Sequence, residues 1–177
     1  MMNEVMQMLR ERRSIRRYKA EQLRGEDLKA ILECGAYAAS AKGKQSAYMV
    51  AVQDRDTIEL LRRLNAEIWG KPEIDPFYGA PTVVVALADP EATTADNADR
   101  DGALVIGNLM DAAWSLGIAS CWVNRAKETF ERPEGKELLR KWGLPERLIG
   151  VGNCILGYAA GEIPAPLPRK EGHILYI

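Results

Sequence analysis

The chain has 177 residues, which is long enough for one domain with a sizeable core, so we expect a single domain over residues 1–177. Twenty-four Lys plus Arg stand against 25 Asp plus Glu, and this balance excludes a global attraction to nucleic acid or to an anionic membrane. There is no signal-peptide layout and no window with the ~18 apolar residues of a membrane span, so we expect a cytoplasmic protein without membrane contact.

A first amphipathic helix is predicted over residues 3–12, with Asn3 as its cap. Its apolar side chains recur at helical spacing, and the simplest interpretation is that they pack in the core rather than form a ligand site. These side chains are Val5, Met6, Met8 and Leu9.

Four arginines and one serine follow this helix in the segment ERRSIRRY, residues 11–18. The guanidinium groups of Arg12, Arg13 and Arg16 have a fork geometry that matches phosphate oxygens. Ser14 could add a hydroxyl donor. Such a density of donors indicates an anion site, although a solvated basic face is the alternative for a charge cluster taken alone.

Helices and strands are interleaved along the rest of the chain. Further helices are predicted at 25–39, 56–69, 97–116 and 133–142, and buried strands at 48–53, 82–88, 118–123 and 150–158. The helix at 97–116 is so apolar that it must be buried, either centrally or against a partner, and Gly102 and Gly107 in it indicate close approach by another backbone. Five helices and four strands favour an α/β or α+β fold with one sheet between helices.

Three irregular segments complete the pattern. A polar loop at 40–46 has Gly43 at its centre, and a proline-rich loop at 70–81 is expected to cover the core. The tail at 161–177 cannot fold on itself, so we expect it to lie across another surface, as an edge strand on a second subunit. Its basic pair, Arg169 and Lys170, could converge with the arginine segment on one phosphate.

Several kinds of chemistry are excluded by what the sequence lacks. His173 is the only histidine, and no GxSxG motif accompanies it, which excludes a Ser/His/Asp hydrolase. The three cysteines, Cys34, Cys121 and Cys154, are dispersed in apolar surroundings and are interpreted as reduced core residues rather than metal ligands. Neither GxGxxG nor GxxxxGK[ST] occurs, so side chains would have to hold any phosphate.

Six short segments now point to a family. RRSIRRY, SAKGKQS, GAPTVVVALAD, SLGIASCWV, VGNCILGYA and PLPRK occur in this order and together resemble the FMN-dependent nitroreductase family, in a short single-domain subgroup. The resemblance implies an α+β, nitroreductase-like fold with a central, mostly antiparallel sheet flanked by helices, in an intertwined homodimer. It also implies that NADH or NADPH reduces bound FMN, which then reduces a nitroaromatic, a quinone or a similar small-molecule acceptor in a ping-pong cycle.

The resemblance also implies roles for individual residues. The family's contacts to the FMN phosphate and ribityl chain correspond to Arg12, Arg13, Ser14 and Arg16. Its C-terminal phosphate pair corresponds to Arg169 and Lys170. The loop that reaches the isoalloxazine, largely from the partner subunit, corresponds to Ser40, Lys42, Lys44 and Gln45. The backbone over the flavin ring corresponds to Val123, Asn124 and Arg125, where a strand exit without a ligand is the alternative.

Two departures from the family pattern affect the pocket. The usual N-x-Q-P-W reads GKQSA at residues 43–47, and Asn124 stands where an acidic residue or histidine is common. A flavin carries the redox chemistry itself, so no catalytic side chain is predicted. A cation at the pyrimidine edge, Lys42 or Lys44, would raise the flavin's reduction potential. The alternative functions are a flavin-binding or flavin-handling protein without turnover, and a relative that uses its flavin for dehalogenation or flavin breakdown.

Overall fold

The computed structural model describes residues 2–177, which form six α-helices and four strands. The helices are α1 (Glu4–Glu11), α2 (Gly25–Ala36), α3 (Arg55–Trp69), α4 (Ala95–Ser115), α5 (Ala126–Glu131) and α6 (Pro133–Lys141). The strands are β1 (Ala47–Val52), β2 (Thr82–Ala88), β3 (Ala119–Val123) and β4 (Ile149–Gly157). One turn of 3₁₀-helix, Ala41–Gly43, precedes β1.

The strands form one sheet in the order β1-β2-β4-β3, and all three pairings are antiparallel. The predicted α+β class with an antiparallel central sheet is therefore confirmed. Every residue of β2 is buried, as its β-branched sequence predicts for a strand covered on both faces. The prediction of a buried strand at 48–53 is wrong in part: β1 is an edge strand, and Tyr48 on it is 38% exposed.

Alternate residues of the central strands face two separate cores. Val83, Val85 and Leu87 of β2 point towards α3, α5 and α6, while Val84 and Ala86 point towards α2 and α4. This two-residue alternation is what a strand sandwiched between helical layers requires. The buried position predicted for the helix at 97–116 is confirmed, because α4 crosses the second core centrally.

Two predictions about packing are wrong. Helix α1 has no buried residue, and Val5, Met6 and Leu9 are 60%, 51% and 52% exposed, so its apolar stripe is not part of the core of this chain. Cys34 on α2 is exposed rather than buried in the core. The tail 161–177 is exposed throughout and contains no strand within the chain, so its position across a second subunit stays a prediction.

Two local features differ from what the sequence indicates. Helix α5 was not predicted, because its six residues are too few to display a clear period before Pro133 starts α6. Gly102 is indeed crowded, but the approaching group is the Val151 side chain rather than a backbone, and Gly107 has open space around it. The loop 70–81 covers the core as expected, with Phe77 only 1% exposed.

Candidate functional site

The arginine segment lies along the free side of the edge strand β3. Ser14 pairs with Ser120 as an isolated parallel bridge, and the Ile15 amide donates to the Ser120 carbonyl at 2.9 Å. The Ile15 side chain is buried and so anchors the segment to the protein interior. Further on, Tyr18 bridges to Ala159. These contacts hold the main chain of the arginine segment at one edge of the sheet.

Two of the arginines have buried donors without an acceptor among residues 2–177. Arg12 Nε is 3.2 Å from Asp111 Oδ1 on α4, and Arg12 Nη1 is buried and unpartnered. Arg13 Nη1 donates to the main-chain carbonyls of Arg10 and Arg12 at 2.8 and 2.6 Å, and Arg13 Nε is buried and unpartnered. Burial raises the pKa of the Asp111 carboxyl, and the Arg12 charge acts in the opposite direction.

The C-terminal tail returns to this segment. A cavity of about 1010 Å³ is lined by Arg12 and Arg13 of the arginine segment and by Leu167 and Arg169 of the tail. Arg12, Arg13 and Arg169 thus line the same cavity, and their convergence on one phosphate stays a prediction. The other phosphate-site candidates, Ser14, Arg16 and Lys170, do not line this cavity. The Arg169 guanidinium itself donates to the Leu167 carbonyl at 2.8 and 3.2 Å.

The loop that carries Ser40, Lys42, Lys44 and Gln45 has a tightly defined backbone. Ser40 Oγ accepts a hydrogen bond from the Gln45 amide at 3.0 Å. Lys42 and Gln45 both have positive φ, at 54° and 48°, and the side chains of Lys42, Lys44 and Gln45 are exposed. Such φ values are uncommon outside glycine, so the surrounding structure must enforce them.

The enforcing residue is Asp101 on α4, which the sequence analysis did not identify. Its carboxylate accepts from the Ala41 amide at 2.8 Å and from Ser46 Oγ at 2.7 Å, and the residue is 3% exposed. The sequence pattern could have identified it, because Asp101 lies on the buried face of α4 at helical spacing between Ala98 and Val105. An acidic residue on an apolar face needs internal partners.

The turn after β3 is held by helix α3. Val123 is 7% exposed, Asn124 is exposed, and Arg125 has φ 75°. The fully buried Asn65 donates from Nδ2 to the Asn124 carbonyl at 2.7 Å, and its Oδ1 has no partner among the described residues. One helical turn later, the Trp69 ring lies 4.7 Å from Arg125 Cζ. The sequence analysis missed both α3 residues, although Asn65 is a polar residue on a buried face.

Unpartnered polar atoms are concentrated in these segments. In the described part of the chain, every buried side-chain nitrogen or oxygen without a partner lies on the arginine segment, on β3 or against the turn that follows β3. These atoms are Arg12 Nη1, Arg13 Nε, Ser120 Oγ, Trp122 Nε1 and Asn65 Oδ1. Buried polar atoms are nearly always hydrogen-bonded, so the two unpartnered guanidinium nitrogens on the arginine segment are candidates for contact with a polar ligand.

The titratable groups nearby are not prepared for acid/base or nucleophilic chemistry. Burial raises the pKa of the Cys121 and Cys154 thiols and of the Tyr18 hydroxyl, which keeps all three protonated at neutral pH. Across residues 2–177 there is no group of three His, Cys, Asp or Glu side chains that could hold a metal ion. None of the helices in that range combines the length and apolar character needed to cross a bilayer.

Known proteins are similar to this chain in both sequence and fold. A protein of Archaeoglobus fulgidus described as an NADH dehydrogenase/NAD(P)H nitroreductase is 31% identical over 164 residues, covering 91% of this chain and 88% of its own length. An NAD(P)H-dependent FMN reductase of Bacillus subtilis is 26% identical over 184 residues, covering 95% of this chain and 70% of its own. The crystal structure of a nitroreductase with bound FMN from Bacteroides fragilis superimposes with a TM-score of 0.89 at 34% identity, covering 99% of each chain.

A second FMN-bound nitroreductase, from Desulfitobacterium hafniense, superimposes with a TM-score of 0.87 at 27% identity over the whole of both chains. The sequence model of the nitroreductase family matches residues 9–158, which run from the end of α1 to the end of the sheet. That match covers most of the chain, including the arginine segment, the loop at 40–46 and the turn after β3. The chain therefore belongs to the nitroreductase family.

Proposed function

We propose that this chain is a flavoprotein oxidoreductase that binds FMN, oxidises NADH or NADPH and reduces a nitroaromatic, a quinone or a similar flat acceptor. The observation that carries the proposal is the pair of buried donors, Arg12 Nη1 and Arg13 Nε, that lack acceptors among residues 2–177. A phosphate monoester offers oxygens of the matching charge and geometry. FMN, which two structural relatives bind, carries such a group.

The two arginines are already oriented for this task. Arg12 Nε contacts Asp111, so Arg12 Nη1 remains available to donate to a ligand. Arg13 Nη1 donates to main-chain carbonyls, so Arg13 Nε remains available in the same way. Fixing a guanidinium before the ligand arrives lowers the entropy cost of binding. Arg169, which lines the same cavity, would close on the phosphate, and Ser14, Arg16 and Lys170 would complete its environment.

The loop and the turn would hold the rest of the cofactor. Ser40, Lys42, Lys44 and Gln45 would contact the ribityl chain and ring, and the backbone of Val123, Asn124 and Arg125 would cover the ring. When bound, FMN supplies the acceptance and donation of hydride, which is why the chain needs no acid/base pair. Lys42 or Lys44 at the pyrimidine edge would favour the negatively charged reduced ring and so raise the reduction potential.

A homodimer is part of the proposal. Helix α1 is eight residues long and buries none of them, and an isolated helix of that length is marginal in water. Its exposed apolar stripe, the exposed Leu104 of α4 and the exposed Leu116 just after α4 together offer a surface that a second copy could cover. The apolar tail residues Ile174, Leu175 and Ile177 are also exposed. Light scattering that gives a monomer at micromolar concentration would contradict the dimer.

The central experiment is flavin binding followed by anaerobic reduction. Purified protein, mixed with FMN if it is colourless, should take up the flavin and bleach when NADH or NADPH is added without oxygen. Protein that never takes up flavin would contradict the proposal. Flavin that stays oxidised with both reductants would support the alternative of a flavin-handling protein without turnover. Parallel initial-rate lines at varied reductant and acceptor would support a ping-pong cycle.

The matched variants are Arg12→Ala and Arg17→Ala. Loss of a charge-assisted hydrogen bond to the phosphate should lower FMN affinity about 10- to 100-fold. We expect this loss for Arg12→Ala only. The Arg17→Ala substitution removes the same charge from the same segment, but Arg17 is exposed and has no buried donor without a partner. Equal losses in the two variants would mean that overall charge, rather than a built phosphate site, governs binding.

A further inference from the structure

Trp69, at the end of α3, has two cations against its ring. The Arg125 guanidinium carbon lies 4.7 Å from the ring centroid and Lys71 Nζ lies 4.8 Å from it. Both distances are within the range in which the ring quadrupole attracts a positive charge. Trp69 therefore holds two side chains from different parts of the chain, one before β2 and one after β3, in a single cluster.

Neither cation in this cluster is neutralised. Across residues 2–177, no carboxylate is within 4.0 Å of Arg125 or Lys71, and neither side chain donates a hydrogen bond. The neighbouring cations behave differently, since Arg63 and Arg132 both pair with Glu67 at 2.9 Å. A guanidinium stacked on an aromatic face keeps the donors along its edge free, and that edge is what binds an oxyanion bidentately.

The cluster borders the turn that we propose to cover the flavin. Arg125 has φ 75°, so the main chain reverses there while the side chain extends to Trp69. The Asn65 amide fixes the preceding carbonyl, that of Asn124, at 2.7 Å. The backbone of the turn and the two cations are thus tied to the same face of α3. A molecule that docks over the flavin would lie next to this charge.

We propose that Arg125 and Lys71 recognise a phosphate or carboxylate on the molecule that exchanges electrons with the flavin. This inference rests on the proposed function. The shared chemistry is an oxyanion on a flat substrate, and two sources can supply it: the 2′-phosphate that distinguishes NADPH from NADH, or an acidic group on the acceptor. The acceptor class that follows from the second source is aromatic nitro compounds or quinones that carry a carboxylate.

The test compares pairs of substrates that differ in one anionic group. One arm measures kcat/KM for NADPH against NADH, and the other measures it for 4-nitrobenzoate against 4-nitrobenzamide. The variants are Arg125→Gly, Lys71→Gln and the double variant. Glycine is chosen at 125 because φ 75° is unstrained for glycine, so the turn keeps its conformation while the guanidinium is removed. Lys127→Gln is the control, because it removes an exposed cation from α5, beside the cluster.

In each arm, the ratio is kcat/KM for the substrate with the additional anionic group divided by kcat/KM for its matched partner. We expect this ratio to fall about tenfold in one arm for the double variant, as for a lost charge-assisted contact. The Lys127→Gln ratio should match that of the parent. A change in the NADPH arm assigns the site to the reductant, and a change in the nitrobenzoate arm assigns it to the acceptor. Added salt should reduce the parent's preference in the same arm.

The inference is overturned if both ratios in the double variant stay within about twofold of the parent, or if Lys127→Gln changes them equally. Lys71 is exposed, so Lys71→Gln cannot fail through misfolding and carries the same expectation on its own. If the parent turns over with FMN and the variants leave both ratios unaltered, only this inference is contradicted. A parent with no flavin-dependent turnover sinks the proposed function and this inference with it.

Discussion

Asp101 Oδ2 accepts a hydrogen bond from Ser46 Oγ at 2.7 Å, inside the protein and 55 residues away in sequence. Its other oxygen accepts from the Ala41 amide at 2.8 Å. One carboxylate on α4 therefore fixes both ends of the loop in which Lys42 and Gln45 have positive φ. Left-handed conformations cost L-residues roughly 1–2 kcal/mol each, so the shape of this loop depends on its anchor.

The Asp101→Ala substitution should lower the free energy of unfolding by about 2–4 kcal/mol, because it leaves the Ser46 hydroxyl and the Ala41 amide without their acceptor. The measurement is urea unfolding followed by circular dichroism. Asp99→Ala, an exposed position on the same helix, should change stability by no more than about 0.5 kcal/mol. If the two variants unfold alike, Asp101 does not anchor the loop.

The Asn65→Ala substitution should destabilise the protein by about 1–3 kcal/mol, because Asn65 is fully buried and donates to the Asn124 carbonyl. It should also weaken FMN binding under the proposed function, since the turn at Asn124 and Arg125 loses its support. Thermal unfolding and flavin titration check the two effects separately. Arg55→Ala, exposed at the start of α3, is the control and should alter neither. Unchanged flavin affinity in Asn65→Ala would separate the turn from the cofactor site.

The Gly102→Ala substitution should cost about 1–3 kcal/mol through overpacking of α4 against β4. A Cβ at position 102 would lie 2.5 Å from Val151 Cγ2 and 3.0 Å from Val151 Cβ. Truncating the neighbour in the double variant Gly102→Ala/Val151→Ala should recover part of the loss, which a double-mutant cycle measures.

Gly107→Ala is the matched control on the same helix. Nothing lies within 4 Å of a Cβ built at Gly107, so alanine there should stabilise the helix by about 0.5–1 kcal/mol. A loss of stability at 107 comparable to that at 102 would argue that an unrecognised contact, such as a second copy, covers this part of α4.

The ion pair of Asp89 and Arg147 predicts a dependence of stability on pH. Arg147 donates to both carboxylate oxygens of Asp89, at 2.9 and 2.7 Å, and lowers the pKa of that buried carboxyl below its ordinary value. A lowered pKa in the folded state means that the stabilisation is complete above the unfolded pKa of about 3.9 and is lost as the pH falls through the folded pKa.

The corresponding variant is Asp89→Asn. It should be less stable than the parent at neutral pH, and the difference should shrink as the pH falls below about 4, where the parent loses its own advantage. Thermal unfolding at a series of pH values measures this. Glu91→Gln removes the more exposed partner of Arg147 and should show a smaller difference. A gap between Asp89→Asn and the parent that is constant down to pH 2 would contradict the prediction.

Local sequence pattern was sufficient for most of the secondary structure. The continuous β-branched run at 82–88 matches β2 in both bounds, and the apolar surface of the helix at 97–116 correctly predicted a helix that packs in the core. Both signals are strong because a buried element must be apolar along its whole length or around most of its surface. Helix α5 gave no comparable signal, since six residues hold fewer than two turns.

The arginine segment and the polar loop were recognisable along the chain, because each is a short run whose composition differs from its surroundings. The strand exit at Val123 to Arg125 was assigned only through the resemblance to the family. Asp101, Asn65 and Trp69 were not recognisable, because each acts on a residue about 55–60 positions away and looks locally like an ordinary helical residue. Composition and periodicity specify which face of an element is buried. Which buried polar atom meets which loop depends on how the helices cross the sheet, and that is settled only when the whole chain packs.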